Sequence, residues 1–210
     1  DLDAARAVRQ FEASNFTFLF APAYNPAVAH VQPVRKALGI PTIFNTLGPL
    51  LSPGRPSLQI MGIAQPAQGQ LIAEVFRELG RERALVVHGA GTDEIATHGT
   101  TQVWELNDGE IVSYELDPED LGIKRHELAD LAGGDGAANA QALRAVFAGR
   151  GEPAHCDAIA AGAGAMFYLN GTTETIAAGV THAKELIGSG TVEEWLSLHE
   201  STNYAVGEEN

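Results

Sequence analysis

Residues 58–89 read LQIMGIAQPAQGQLIAEVFRELGRERALVVHG, and this stretch decides the fold. Residues 58–64 form an apolar run of strand length, followed at once by Pro66. Helical spacing takes over from 66 to 80. Leu71, Ile72, Val75, Phe76 and Leu79 recur at the intervals that place side chains on one helix face, and Gly80 closes the segment. Residues 83–89, RALVVHG, make a second apolar run. Two hydrophobic strands joined by a helix predict a parallel βαβ unit, because a parallel sheet is covered on both faces and crosses over through a helix.

Outward from this unit, residues 1–15 read as a short amphipathic helix, and 16–22, FTFLFAP, as an aromatic strand stopped by Pro22. Residues 25–40 carry helical spacing, with Asn25 as cap and Pro26 at the first helical position. Residues 41–57 read as one short helix running into a proline-rich connection. Downstream, 101–116 contains two β-prone runs around Asn107-Asp108-Gly109, a strong hairpin signal. From His126 onward the chain reads as helices rich in Ala and Gly, separated by Gly or polar breaks. The expected class is α/β: a sheet containing parallel strands, covered by helices, with a segment of a small helical domain.

The 210 residues are 45% hydrophobic, enough to build a substantial core, and carry a formal net charge of -14. A chain this acidic disfavours a nucleic-acid groove and adhesion to an anionic membrane. It leaves room for a small anionic substrate, whose site a local cation or metal can dominate. The single cysteine, Cys156, lies in an apolar helical context and reads as a core thiol rather than a nucleophile. The sequence shows neither an apolar run of membrane-spanning length nor a signal peptide, and is read as cytoplasmic.

An open parallel sheet places its site at the carboxyl ends of its strands. Strand 83–89 ends at His88-Gly89, and the turn after it carries Asp93 and Glu94 side by side. Gly89 and Gly91 let the backbone turn sharply there. Two hard oxygen ligands at such an edge suit Mg²⁺, which takes one or two carboxylates with water and substrate phosphates. The same pair also suits a helix N-terminus, where carboxylates cap backbone N–H groups and meet the dipole. From the residues alone both readings stand. His88 reads as a hydrogen-bonded structural histidine, and the GGDG at 133–136 as a loop opening a helix rather than a phosphate cradle.

At FLFAP, PVRKALGIPTIFNTLGPL, VVHGAGTDE and LAGGDGAANA the chain resembles the anthranilate phosphoribosyltransferase family, from about Phe16 to about Ser189. That family shares its fold with the pyrimidine nucleoside phosphorylases. The resemblance implies transfer of a phosphoribosyl group from 5-phosphoribosyl 1-diphosphate to anthranilate in tryptophan biosynthesis, with Mg²⁺ as cofactor and a homodimeric assembly. It implies that Asp93 and Glu94 are metal ligands and that Arg35 meets the anthranilate carboxylate through its planar donor fork. Asn25, Gly48 and Pro49 would line the path of the aromatic substrate, and no residue is assigned as a covalent catalyst.

The family's Gly-Thr-Gly-Gly-Asp diphosphate loop, its Lys-His-Gly-Asn segment and its N-terminal helical bundle have no counterpart here. The chain starts at Asp1 and is expected to be the C-terminal portion of a family member, inactive alone. Residues 1–24 and 55–210 are expected in the α/β catalytic domain and 25–54 in the small helical domain. Asn25 stands where the family often has histidine, and Val28 where it has a larger residue. Three readings stand beside this one: a pyrimidine nucleoside phosphorylase, a phosphoribosyltransferase for another aromatic acid, and a non-catalytic nucleic-acid-binding relative. The net charge speaks against the last.

Overall fold

The computed structural model describes residues 3–25, 31, 33, 34, 37, 39 and 44–205. Its contacts resolve two compact units, residues 1–56 with 199–210 and residues 57–198. In the first unit, helix α1 spans Ala4–Ser14. The Asp3 side chain caps it by accepting from the Arg6 N–H at 2.8 Å. Asn15 ends it in the left-handed region at φ 56. The strand expected at 16–22 does not form. Residues 16–20 adopt no regular structure, and the chain then makes one helical turn, α2, at Ala21–Tyr24. A strand exists only through its ladder, and no described strand pairs with this run. Phe16 and Phe18 are consequently exposed.

Much of the helix expected within 25–40 lies outside the described residues. Those described at 31, 33, 34 and 37 are helical. Helix α3 spans Phe44–Leu50, as expected, and contains Pro49.

The second unit holds a four-stranded sheet in the order β1-β2-β3-β4, where β1 is Leu58–Gly62, β2 Arg83–Gly89, β3 Thr101–Asn107 and β4 Glu110–Leu116. Strands β1 and β2 are parallel, with Ile60 opposite Leu85, and helix α4 (Gly69–Glu78) makes the crossover. This is the βαβ unit that the sequence predicts. Strands β2, β3 and β4 run antiparallel. Asp108 and Gly109, at φ 49 and 78, make the hairpin turn with the positive dihedrals that Asp-Gly tolerates. Among the described residues, strand β4 is the outermost strand on its side, and Glu110, Val112, Ser113 and Glu115 on it are exposed.

Alternation along the strands divides the core. On one face Ile72, Ala73 and Phe76 of α4 are buried, the largest of which contributes about 1.5–3 kcal/mol. Gly69 lies so close to the Trp104 ring that a Cβ there would overlap it. Leu71 and Leu79, on the fringe of the same apolar stripe, are exposed.

On the other face Leu85, Val87 and Val103 pack under two long helices, α6 (Pro153–Leu169) and α7 (Ile176–Gly188). The preceding helix, α5, spans Gly136–Phe147, and α8 spans Thr191–Ala205. Gly164 of α6 and Gly179 of α7 meet backbone to backbone, and a Cβ on either would overlap the other helix. Among the described residues, no helix is long and apolar enough to cross a membrane.

One buried polar network ties the sheet to α6. Glu105 on β3 is 5% exposed. It accepts from the hydroxyls of Tyr168 at 2.7 Å and Tyr114 at 2.8 Å. Arg83 sits 3.6 Å from the same carboxylate and donates to the carbonyls of Tyr168 and Leu169 at the end of α6. Burial first, then the hydrogen bond to Glu105, raises the pKa of both tyrosines.

Candidate functional site

Strand β2 ends at Gly89, and the chain folds back on itself. Gly89 and Thr92 exchange backbone hydrogen bonds at 3.0 and 2.9 Å, and Ala90 N–H donates to Thr100 O. Ala90 and Gly91 take positive φ of 47 and 91 to make this possible. The Asp93 and Glu94 backbone then lies directly over the carboxyl ends of both parallel strands. A Cβ at Gly62, the last residue of β1, would overlap the carbonyl of Asp93, and one at Gly89 would overlap that of Glu94. Glycine is required at both ends because the acidic turn rests on them. His88 ties the same edge together, its Nδ1 2.9 Å from Ile63 O, which makes Nδ1 the protonated nitrogen and the residue structural, as expected.

No helix follows the acidic pair. Residues 93 and 94 form a bend, and the next regular element is β3 at Thr101. The capping reading therefore falls, since there is no helix N-terminus to cap. Both side chains are exposed, and neither is paired with a cation among the described residues. Partial burial, and then the adjacent charge of Asp93, raise the pKa of Glu94. That uncompensated negative charge is what a cation would relieve.

The described residues contain no group of three or more His, Cys, Asp or Glu that could hold a metal. A two-carboxylate donor set fits a hard cation that completes its shell with water and phosphate oxygens, as Mg²⁺ does. It does not fit a closed protein-only site.

The pair borders a cavity of about 700 Å³, whose wall includes Leu128, Leu143, His98 and Asn139. Among the described residues, no Lys or Arg lines it. Asn139 closes the GGDG loop, accepting from Gly134 N–H at 2.8 Å and donating to Gly134 O at 3.1 Å. Asp135 caps α5 through Ala138 N–H at 2.9 Å. This loop is thus a helix start, in agreement with the sequence reading. Cys156 is half-buried on α6, and burial and then Asp157 push its thiol pKa upward, away from nucleophile chemistry.

The remaining sequence-derived candidates lie in the other compact unit. Asn25 closes α2, its backbone N–H reaching Ala21 O at 3.0 Å and its Nδ2 the same oxygen at 3.3 Å. It thus ends one helix; the start of the next, which the sequence reading has it cap, lies outside the described residues. Gly48 is half-buried on α3 and Pro49 is exposed. Arg35 and Val28 lie outside the described residues. Sequence reasoning passes over Gly62. A strand ending in glycine before an acidic turn on the neighbouring strand was the available signal.

A family model described as the glycosyl transferase family, a/b domain, matches residues 1–193. An anthranilate phosphoribosyltransferase of Corynebacterium aurimucosum is 78% identical over 204 residues, 97% of this chain and 59% of that protein. Among solved structures, an anthranilate phosphoribosyltransferase from Thermus thermophilus superposes with a TM-score of 0.84 at 38% identity, over 92% of this chain and 57% of that one. The Saccharomyces cerevisiae enzyme in complex with PRPP and Mg superposes with a TM-score of 0.84 at 29% identity, over 94% and 57%. The chain thus spans a little over half the length of these relatives. Matched over all but its last residues, it belongs to the glycosyl transferase family, a/b domain.

Proposed function

We propose that this chain is part of an enzyme that transfers phosphoribosyl from 5-phosphoribosyl 1-diphosphate to anthranilate, in tryptophan biosynthesis. One observation carries the reading. A carboxylate pair, Asp93 and Glu94, without a cation partner among the described residues, is seated by two obligatory glycines on the carboxyl edge of a parallel strand pair, in a chain 78% identical to an anthranilate phosphoribosyltransferase. Asp93 and Glu94 would hold Mg²⁺. When bound, Mg²⁺ neutralises charge on the departing diphosphate.

The chain's own residues do the rest by position. The Gly62 and Gly89 platform fixes where the carboxylates stand. Arg35 would orient anthranilate by its carboxylate, and Asn25, Gly48 and Pro49 would line that substrate's path. Displacement at the ribose anomeric carbon needs alignment of two reactants rather than a covalent nucleophile. The raised thiol of Cys156 agrees with that. The proposal includes residues 25–54 as a segment of a small helical domain and a cytoplasmic homodimer.

The test uses a polypeptide of the relatives' full length that carries this sequence. Consumption of anthranilate with 5-phosphoribosyl 1-diphosphate and Mg²⁺ is expected, without phosphorolysis of thymidine or uridine. Replacing Asp93 and Glu94 by Asn and Gln should leave the melting temperature nearly unchanged, lower activity by orders of magnitude and raise the Mg²⁺ requirement. Nucleoside phosphorolysis without anthranilate consumption would reject the reading. So would a double variant with ordinary activity and magnesium dependence.

A further inference from the structure

Behind the cavity wall lies a charged cluster that the reaction as proposed does not use. Asp157 of α6 is 15% exposed on its side chain, and both oxygens are engaged. Oδ2 accepts from His126 Nε2 at 2.7 Å, and Oδ1 lies 2.7 Å from Lys184 Nζ of α7. Lys184 also donates to Gly122 O at 3.4 Å. The main-chain N–H of His126 donates at 2.9 Å to Thr97 O, in the loop that follows Glu94. One carboxylate therefore joins α6, α7 and the 122–127 segment, and that segment holds the far end of the acidic loop. The chain continues from His126 into the 3-10 turn Leu128–Leu131, whose Leu128 and Leu131 face the cavity. The neighbours of Asp157 on α6, His155 and Ala158, face it too.

We propose that Asp157, clamped between His126 and Lys184, is a positioning residue that fixes the acidic loop and so sets metal affinity at Asp93 and Glu94. The metal half of this statement rests on the reading under Proposed function. The clamp itself rests on the hydrogen bonds alone. The acidic turn is fixed at its near end by the Gly89 and Thr92 bridge. Its far end is tied by Ala96 N–H to Thr101 Oγ1 at 2.9 Å, Ala90 N–H to Thr100 O at 3.0 Å, His98 Nε2 to Ala90 O at 3.3 Å and Thr100 Oγ1 to Asp117 Oδ1 at 2.7 Å, and Thr97 in its middle by the His126 contact. Loss of the Asp157 charge leaves His126 and Lys184 with one neutral acceptor oxygen between them, where the carboxylate offered each its own. Ile123 and Arg125 still anchor the start of segment 122–127, but its end at His126 loosens, and the Thr97 contact weakens with it.

The experiment compares wild type, Asp157→Asn, His126→Leu and Lys184→Arg in the full-length polypeptide, by amide hydrogen exchange without metal and by Mn²⁺ binding read from its paramagnetic resonance. Asp157→Asn should speed exchange in 95–100 and 122–131 by about tenfold, while amides of β2 hold their rates. It should also weaken Mn²⁺ binding by about tenfold, the usual scale for residues that support a metal's ligands. Lys184→Arg, which keeps the cation, should behave as wild type.

Unchanged local exchange in Asp157→Asn overturns the clamp. Faster exchange with unaltered Mn²⁺ affinity overturns its link to the metal. If Asp157→Asn unfolds, His126→Leu decides, since it keeps the main-chain donor and removes the side-chain contact to Asp157. If the wild type binds no Mn²⁺ at all, the metal reading has failed, and exchange still judges the clamp.

Discussion

Gly62→Ala probes the seat of the acidic turn. Gly62 closes β1 with ordinary dihedrals, so alanine suits its backbone, and any cost comes from the added methyl. That methyl would overlap the carbonyl of Asp93, a main-chain atom that no rotamer change can move aside. Overfilling a packed position of this kind costs about 1–3 kcal/mol. Against this, alanine restricts the unfolded chain and returns about 0.4–1 kcal/mol. The balance is a loss of about 1–2 kcal/mol, which for a unit of this size is a fall of roughly 3–8 °C in melting temperature.

The control is Gly162→Ala on α6, where a built Cβ meets nothing within 4 Å. There the same substitution should stabilise by about 0.5–1 kcal/mol, because helix propensity improves without a clash. Calorimetry of both variants gives opposite signs if the reasoning holds. In the full-length polypeptide, the Gly62 variant should also need more Mg²⁺ than wild type, since the displaced turn carries Asp93 and Glu94. A Gly62→Ala protein as stable as its parent, with unchanged magnesium dependence, would refute the claim that the turn rests on β1.

Glu105→Ala should destabilise the protein by about 3 kcal/mol, because two tyrosine hydroxyls and Arg83 lose a buried acceptor at once; urea denaturation with an unchanged m-value would show it. Gly164→Val should cost about 3 kcal/mol or more by driving α6 and α7 apart, seen as an early thermal transition. The Thr100 hydroxyl, and then Arg125, hold the Asp117 carboxyl below its ordinary value of 3.8. Its contribution to stability is therefore present above that pH and lost as pH falls through the lower folded value. Thr100→Val should move the Asp117 titration, followed by NMR, up toward 3.8 and flatten the acid limb of the stability curve. Without Mg²⁺, the chain should show no calorimetric binding of 5-phosphoribosyl 1-diphosphate at the acidic pair, because its two carboxylates repel the diphosphate and no Lys or Arg among the described residues lines that cavity.

Local signals in the sequence carry the fold a long way. The βαβ unit follows from two apolar runs and one helical period, and the hairpin from Asn107-Asp108-Gly109. The reading fails where structure depends on partners distant in sequence. FTFLFAP has strand composition, yet no described strand lies beside it to complete a ladder. Leu71 and Leu79 share the helical period of Ile72 and Phe76, but the sheet covers only the centre of that stripe.

The acidic pair itself is legible because it directly follows the strand that positions it. Gly62 is not, since its contact with Asp93 spans the whole crossover helix. His126, Asp157 and Lys184 come from three separate segments, and each alone reads as a surface residue.

The exposed outer strand β4 has a consequence for how the protein behaves in concentrated solution. An unpaired ladder edge invites a second molecule to add its own strand. Here that edge carries Glu110 and Glu115, on a chain whose formal charge is -14. Like molecules meet at this edge with matching negative charge, so repulsion keeps their backbones from registering. The safeguard is only as durable as the ionisation. Near the isoelectric point of about 4.8 the net charge vanishes, and the long-range repulsion that keeps Val112 and Ser113 of one molecule from those of another goes with it. Precipitation in mildly acidic buffer would then begin by strand addition at β4, before any loss of the folded core.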